Sequence, residues 1–245
     1  MTPESAKAAD ALEAALRRLG DPERAVQEKR YLKSDLLHLG VTVPIVRKAV
    51  KAEYATLRPN HDELVELVGA LWVSDIYERR LAAVELLKAG RASLSADDLP
   101  RIEEMIREGA MWSLVDPLAG DVAGPIVLGD AACAATTDRW SADPDFWVRR
   151  SALLSLLAGI RAGDPDLDRF TAYADAMLDE TQFFVRKAIG WVARELSKSR
   201  PQFVAAWAER NVSRMSGVTF REVVRRLPEA DAERLTRLRT RRPTQ

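Results

Sequence analysis

The strongest constraint on this chain is a bulky residue that returns at positions 45, 77, 112, 147, 184 and 220, in steps of 32 to 37 residues. The neighbouring sequence returns with it. Ile45-Val-Arg-Lys-Ala, Tyr77-Glu-Arg-Arg-Leu-Ala, Trp147-Val-Arg-Arg-Ser-Ala and Phe184-Val-Arg-Lys-Ala are versions of one pattern, and Phe220-Arg-Glu-Val-Val-Arg is a weaker copy. A period of this length suits a helix–turn–helix unit, which cannot bury its apolar face alone and must stack on its neighbours. Apolar residues at three- and four-residue spacing over 9–19, 64–71, 80–87 and 188–196 agree. No segment of convincing two-residue alternation competes, and Asn-Gly and Asp-Gly hairpin signals are missing. The expectation is an all-α superhelical solenoid forming a single domain over 1–245. Within it, residues 1–40 make a helical cap, 41–230 the repeats and 231–245 a basic tail.

The Val-Arg-x-x-Ala-like signature, preceded by a polar or acidic residue (Asp75, Asp145, Thr181), resembles HEAT repeats. It lacks the tetratricopeptide and ankyrin signatures. Composition is that of an ordinary globular chain, 47% hydrophobic and 30% charged. No apolar run reaches the ~18 residues of a membrane span. The first residues lack the basic and apolar stretches of a signal peptide. Cys133 is the only cysteine, so no intrachain disulfide can form, which fits a reducing cytoplasm. His38 and His61 stand in no ligand spacing, so neither a metal nor a cofactor is expected. A monomer in the cytoplasm, associated with the nucleoid, is the corresponding expectation.

Net charge is zero, yet its distribution is uneven. Residues 1–139 are net −5 and residues 140–245 net +5. That asymmetry suits a molecule with one part facing an anion. Arg47, Lys48, Arg79, Arg80, Arg149, Arg150, Arg186 and Lys187 would form a cationic stripe along the repeats, with bidentate reach for phosphate oxygens. The competing reading is that these arginines bond to neighbouring inter-repeat loops.

One repeat breaks the pattern. In Met111-Trp-Ser-Leu-Val-Asp-Pro the basic pair becomes Leu114 and Val115, and an acid follows at Asp116. Counted from the bulky residue, the equivalent position elsewhere holds Ala49, Leu81, Ser151, Ala188 and Val224. A carboxylate among cations is a candidate functional group. It is equally a candidate N-cap for a helix beginning at Pro117.

Trp112-Ser-Leu-Val-Asp116, Trp147-Val-Arg-Arg150 and Phe183-Phe-Val-Arg-Lys-Ala-Ile-Gly-Trp191-Val-Ala-Arg-Glu-Leu, together with Tyr31-Leu-Lys-Ser-Asp-Leu-Leu-His-Leu-Gly-Val, resemble the AlkD-type glycosylases of the DNA alkylation repair family. The resemblance runs from about residue 25 to about 226. It implies a monofunctional DNA glycosylase that hydrolyses the N-glycosidic bond of cationic N3- and N7-alkylated purines in double-stranded DNA. Base flipping, usual in glycosylases, is not implied, and an abasic site is left. By resemblance Asp116 is catalytic, Trp112 and Trp191 flank the lesion sugar, and Arg150 clamps the DNA backbone. Tyr31 lies near the same site, and Arg149, Arg186, Lys187 and Arg194 are expected on the DNA side.

The chemistry of these residue types agrees. A cationic alkylpurine is already a good leaving group, and its departure builds oxocarbenium character on the sugar. A carboxylate near C1′ stabilises that charge and positions water. Indole faces add cation–π attraction of about 1–2 kcal/mol each when desolvated. By repeat position alone, Trp112 and Trp191 fill core slots, as Trp72, Trp140, Trp147 and Trp207 do. Pro117 and Met111 depart from the family pattern and bear on the lesion range. The alternative function is a non-catalytic HEAT-repeat binder of bent, branched or damaged DNA; a protein-binding scaffold is a third.

Overall fold

The computed structural model describes residues 2–240, which are helical throughout apart from turns and one isolated β-bridge between Leu37 and Ile76. The all-α fold expected from the periodicity is the one found. Two compact units divide the chain, Met1–Leu118 and Ala119–Gln245.

The first unit holds α1 (Pro3–Arg18), α2 (Pro22–Leu32), α3 (Val43–Leu57), α4 (His61–Trp72), α5 (Tyr77–Ala89), α6 (Leu99–Gly109) and α7 (Trp112–Pro117). Sequence sets most of these starts. Thr2 and Asp21 cap α1 and α2 with side-chain acceptors, and proline occupies the first turn of both. Asn60 and Glu63 form a reciprocal capping box on α4. Helix α3 packs on α5 and α5 on α7, while α4 packs on α5 and α6 on α7, so alternate helices share a row as stacked repeats require. Leu16, Leu64, Leu71, Trp72, Tyr77, Leu86 and Met105 fill the unit's core.

The second unit holds α8 (Gly124–Gly129), α9 (Ala134–Ser141), α10 (Phe146–Ser155), α11 (Leu157–Ala162), α12 (Leu167–Ala176), α13 (Phe183–Leu196), α14 (Pro201–Asn211), α15 (Gly217–Val224) and α16 (Glu229–Thr240). Here α10 packs on α13 and α13 on α15. Trp140, Trp207 and Phe170 are fully buried, which makes Trp72, Trp140, Trp147 and Trp207 packing residues as the pattern suggests. The expected basic tail lies in part within α16, where Arg239 sits 4.7 Å over the Phe220 ring and donates to the Met215 carbonyl. Arg241 and Arg242 lie outside the described residues. No helix among the described residues is long and apolar enough to cross a membrane.

The α13–α15 contact is close enough to require glycine. A Cβ on Gly190 would lie 2.6 Å from Glu222 Cβ and 2.8 Å from the Thr219 carbonyl oxygen. Gly190→Ala is therefore expected to cost about 1–3 kcal/mol of stability, measured by denaturant unfolding, although alanine is the better helix former. An unchanged midpoint would show that the two helices separate freely.

His61, at the start of α4, bridges Asp62 at 3.0 Å and Asp98 at 2.9 Å. These carboxylates, Asp62 first, raise its pKa above the ordinary 6.5. A raised folded-state value gives stability that is full below the unfolded pKa and lost as pH climbs through the folded one. The gap in melting temperature between wild type and His61→Gln should be widest below the ordinary histidine range and close as the pH climbs above it. A gap independent of pH would show that the bridge contributes packing alone.

Candidate active site

Helix α7 carries two of the expected catalytic residues. Met111 is its extended, buried N-cap, Trp112 its first residue, and Asp116 follows one turn later on the same face. Both Trp112 and Asp116 are half-buried. Pro117 lies inside this helix, so Asp116 is not the cap of a helix starting there. Proline offers no N–H to the carbonyl four residues back, and the chain passes from α7 into a π-helical turn at Leu118–Ala123. Such turns are rare and recur at functional sites. On the other side, Ala110 ends α6 in the left-handed region, φ 38°, where a residue with a Cβ is disfavoured by about 1–2 kcal/mol.

Tyr31, at the end of α2, meets Trp112 edge to face, with ring centroids 6.1 Å apart and planes at 89°. The phenol side is 73% exposed. Two aromatic rings thus meet on the first unit, with Asp116 one helical turn from Trp112.

Helix starts shift the repeat register from the sequence alignment by up to three residues. With Thr42, Ile76, Met111, Asp145, Gln182 and Ser216 as N-caps, the fifth residue onward is Arg47, Leu81, Asp116, Arg150, Lys187 and Arg221. The expected equivalents Ser151 and Ala188 therefore sit one residue late, Ala49 two and Val224 three; only Leu81 stays. Tyr77 and Trp112 begin their helices, whereas Trp147 and Phe184 come second. The correction sharpens the anomaly, because Asp116 now occupies a position that four other helices fill with a cation.

Three arginines confirm this register. Arg80 donates to the Ser74 carbonyl, Arg149 to the Asp143 carbonyl at 2.7 Å, and Arg186 to the Glu180 carbonyl, each six residues upstream. The loop-binding reading is thus what these arginines do. Arg149 also pairs with Glu180 at 2.5 Å and Arg79 with Glu13 at 2.5 Å, while Arg47 grips Glu85 at 2.9 and 3.1 Å. Arg150 is 2% exposed, donates to the Phe184 carbonyl and lies 5.8 Å over the Phe184 ring. In this fold its guanidinium holds the first turn of α13. Arg194 pairs with Glu222.

On α13, Phe183, Lys187 and Trp191 follow at four-residue spacing along one face. Phe183 is 55% exposed, Lys187 is exposed without an ion pair among the described residues, and Trp191 is half-buried. Lys187 is the expected DNA-side cation that the fold leaves open to solvent.

Sequence reasoning missed a polar cluster beside the Tyr31–Trp112 pair. Glu28, His38 and Glu78 bring their nearest ligand atoms within 4.8 Å of one another. Their capacity is largely taken by protein. Glu78, 0% exposed, accepts the backbone N–H groups of Leu39, Gly40 and Val41, and Glu28 accepts from Arg24 and meets His38 Nδ1 at 3.2 Å. Glu28 and His38 are ten residues apart and Glu78 lies forty beyond His38, so no local spacing signals the cluster. Tyr77 stacks on His38 at 4.6 Å; burial pushes its phenol up to about 12, a shift that the neighbouring Ser113 hydroxyl opposes.

The model of the DNA alkylation repair enzyme family matches residues 12–227. The chain belongs to that family. Among solved structures, a predicted DNA alkylation repair enzyme from Enterococcus faecalis is similar, with TM-score 0.77 and 22% identity over 86% of this chain and 97% of its own. At that identity the likeness speaks for the fold, and it places this repair-family chain on the same helical architecture. No curated protein matches the sequence.

Proposed function

We propose that this member of the DNA alkylation repair family is a monofunctional DNA glycosylase for cationic N3- and N7-alkylpurines in duplex DNA. The observation that carries the reading is Asp116, a half-buried carboxylate one turn from the Trp112–Tyr31 pair, at a helix position otherwise given mostly to cations.

In the proposed reaction the bond between C1′ and the purine nitrogen breaks first. Its electron pair leaves with the base and cancels the positive charge that alkylation placed there. The sugar becomes oxocarbenium-like, and Asp116 stabilises it across a short, water-poor gap. Water then forms the new C1′–O bond and loses a proton to the carboxylate, which returns it to solvent. Trp112 supplies a cation-stabilising face. Lys187 is assigned to a backbone phosphate, where it would set position and read no sequence. Arg149, Arg150, Arg186 and Arg194, bonded as described, act as the braces of the helices that present these groups.

The test is base release from duplex DNA carrying N3-methyladenine, N7-methylguanine or a bulky N3 adduct, with abasic sites counted as product. Release of base with matching abasic sites supports the reading. Tight binding to the same duplexes without release would make the protein a non-catalytic binder of damaged DNA.

A further inference from the structure

Helix α2 carries Tyr31 against Trp112, yet none of its residues is fully buried, and Arg24, Ala25, Glu28, Lys29 and Leu32 are only half-buried. Packing, which supplies most helix stability in proteins, is therefore scarce in the element that carries the aromatic partner. What holds it is polar. Its first turn lies on Gly40, where φ is +79° and a Cβ would come within 2.0 Å of the Asp21 carbonyl oxygen. Asp21 N–H donates to the Leu39 carbonyl at 3.0 Å. Its last turns are tied by Lys29 to the Asp35 carbonyl at 3.3 Å and by Glu28 to His38.

The Glu28–His38 link differs from the others because it ends in the core. The His38 side chain is 1% exposed and stacks at 16° on Tyr77, itself 1% exposed. Its Nε2 has no hydrogen-bond partner among the described residues, so the Nδ1–Glu28 contact is the ring's polar anchor. Glu28 precedes Tyr31 by three residues, on the same side of α2. The geometry points to His38 and Glu28 as positioning residues: through them the Tyr77 core anchor sets where Tyr31 stands on Trp112. For its effect on catalysis, this assignment rests on the glycosylase reading above; for the seating of α2 it does not.

Two substitutions separate the parts of the ring. His38→Phe keeps an aromatic on Tyr77 and removes the bond to Glu28. His38→Asn removes the stack and keeps a donor where Nδ1 lies. Hydrogen exchange of the α2 amides in the full chain is expected to speed up about ten- to a hundredfold in His38→Phe, the worth of a hydrogen bond to a charged group. It should return toward wild type in His38→Asn, with α5 protection unchanged in the former. Glu28→Ala, on a helix with no fully buried residue, should reproduce His38→Phe without loss of the global fold. In base release, His38→Phe should lower kcat/KM about tenfold in the wild-type background and have no further effect in Tyr31→Ala, because a residue acting through Tyr31 has nothing left to position.

Unchanged α2 exchange in both His38→Phe and Glu28→Ala would overturn the proposal, as would additive losses with Tyr31→Ala. If the wild type releases no base, the glycosylase reading fails while the exchange arm still decides what seats α2.

Discussion

Asp116→Asn is expected to cut base release from alkylated duplex DNA by about 10²–10³-fold, the loss typical when one preorganised electrostatic group is removed from an active site. The change is isosteric, and the side chain is half-buried on a short helix, so folding should be preserved. What disappears is the negative charge facing the developing oxocarbenium ion and the acceptor for the water proton. Because the leaving group carries its own positive charge, no general acid remains to compensate. Single-turnover release by wild type and variant on the same N7-methylguanine duplex is the measurement. Equal rates would remove Asp116 from the chemistry and leave the repair assignment resting on the family alone.

The largest stability effect is expected at Glu78. Its carboxylate is fully buried and receives N–H groups from Leu39 at 2.9 Å, Gly40 at 2.7 Å and Val41 at 3.1 Å. Glu78→Ala strands three backbone donors around the turn that supports α2, and each unsatisfied buried donor costs about 1–3 kcal/mol. Partial relaxation and water entry reduce the sum, so the expected loss is about 3–5 kcal/mol by denaturant unfolding. Glu78→Gln, which keeps one acceptor oxygen, should lose less. A loss under about 1 kcal/mol for the alanine variant would mean that the 39–41 turn holds itself.

Periodicity made the helices legible, because a 32- to 37-residue recurrence leaves few alternatives to stacked helix pairs. The register was less legible. Bulky side chains look like markers of one slot, yet Tyr77 and Trp112 open their helices while Trp147 and Phe184 stand second. Caps decide that register, and neither Ile76 nor Met111 has a side chain that signals a cap. Asp116 was legible as an oddity from its neighbours. Its status as the acid in a mostly cationic position needed the helix starts. Glu28, His38 and Glu78 were invisible because their proximity is made by the loop after α2 meeting α5, across about forty residues of sequence. The sequence leaves the use of the arginine stripe open between phosphate and loop binding, since the two guanidinium roles look identical until the acceptors are seen.

That use has a consequence for how the protein would meet a polyanion. Each arginine paired with a carboxylate, as Arg149 is with Glu180, Arg79 with Glu13 and Arg47 with Glu85, keeps its counter-charge within the fold. Such a group displaces few condensed ions when a duplex approaches. Association would then be governed by shape and by a small number of open cations such as Lys187, and the logarithm of affinity should fall only gently with the logarithm of salt concentration. On the proposed reading, a surface of this kind would give up long-range grip on undamaged DNA and keep freedom to move along the duplex until an altered base holds it.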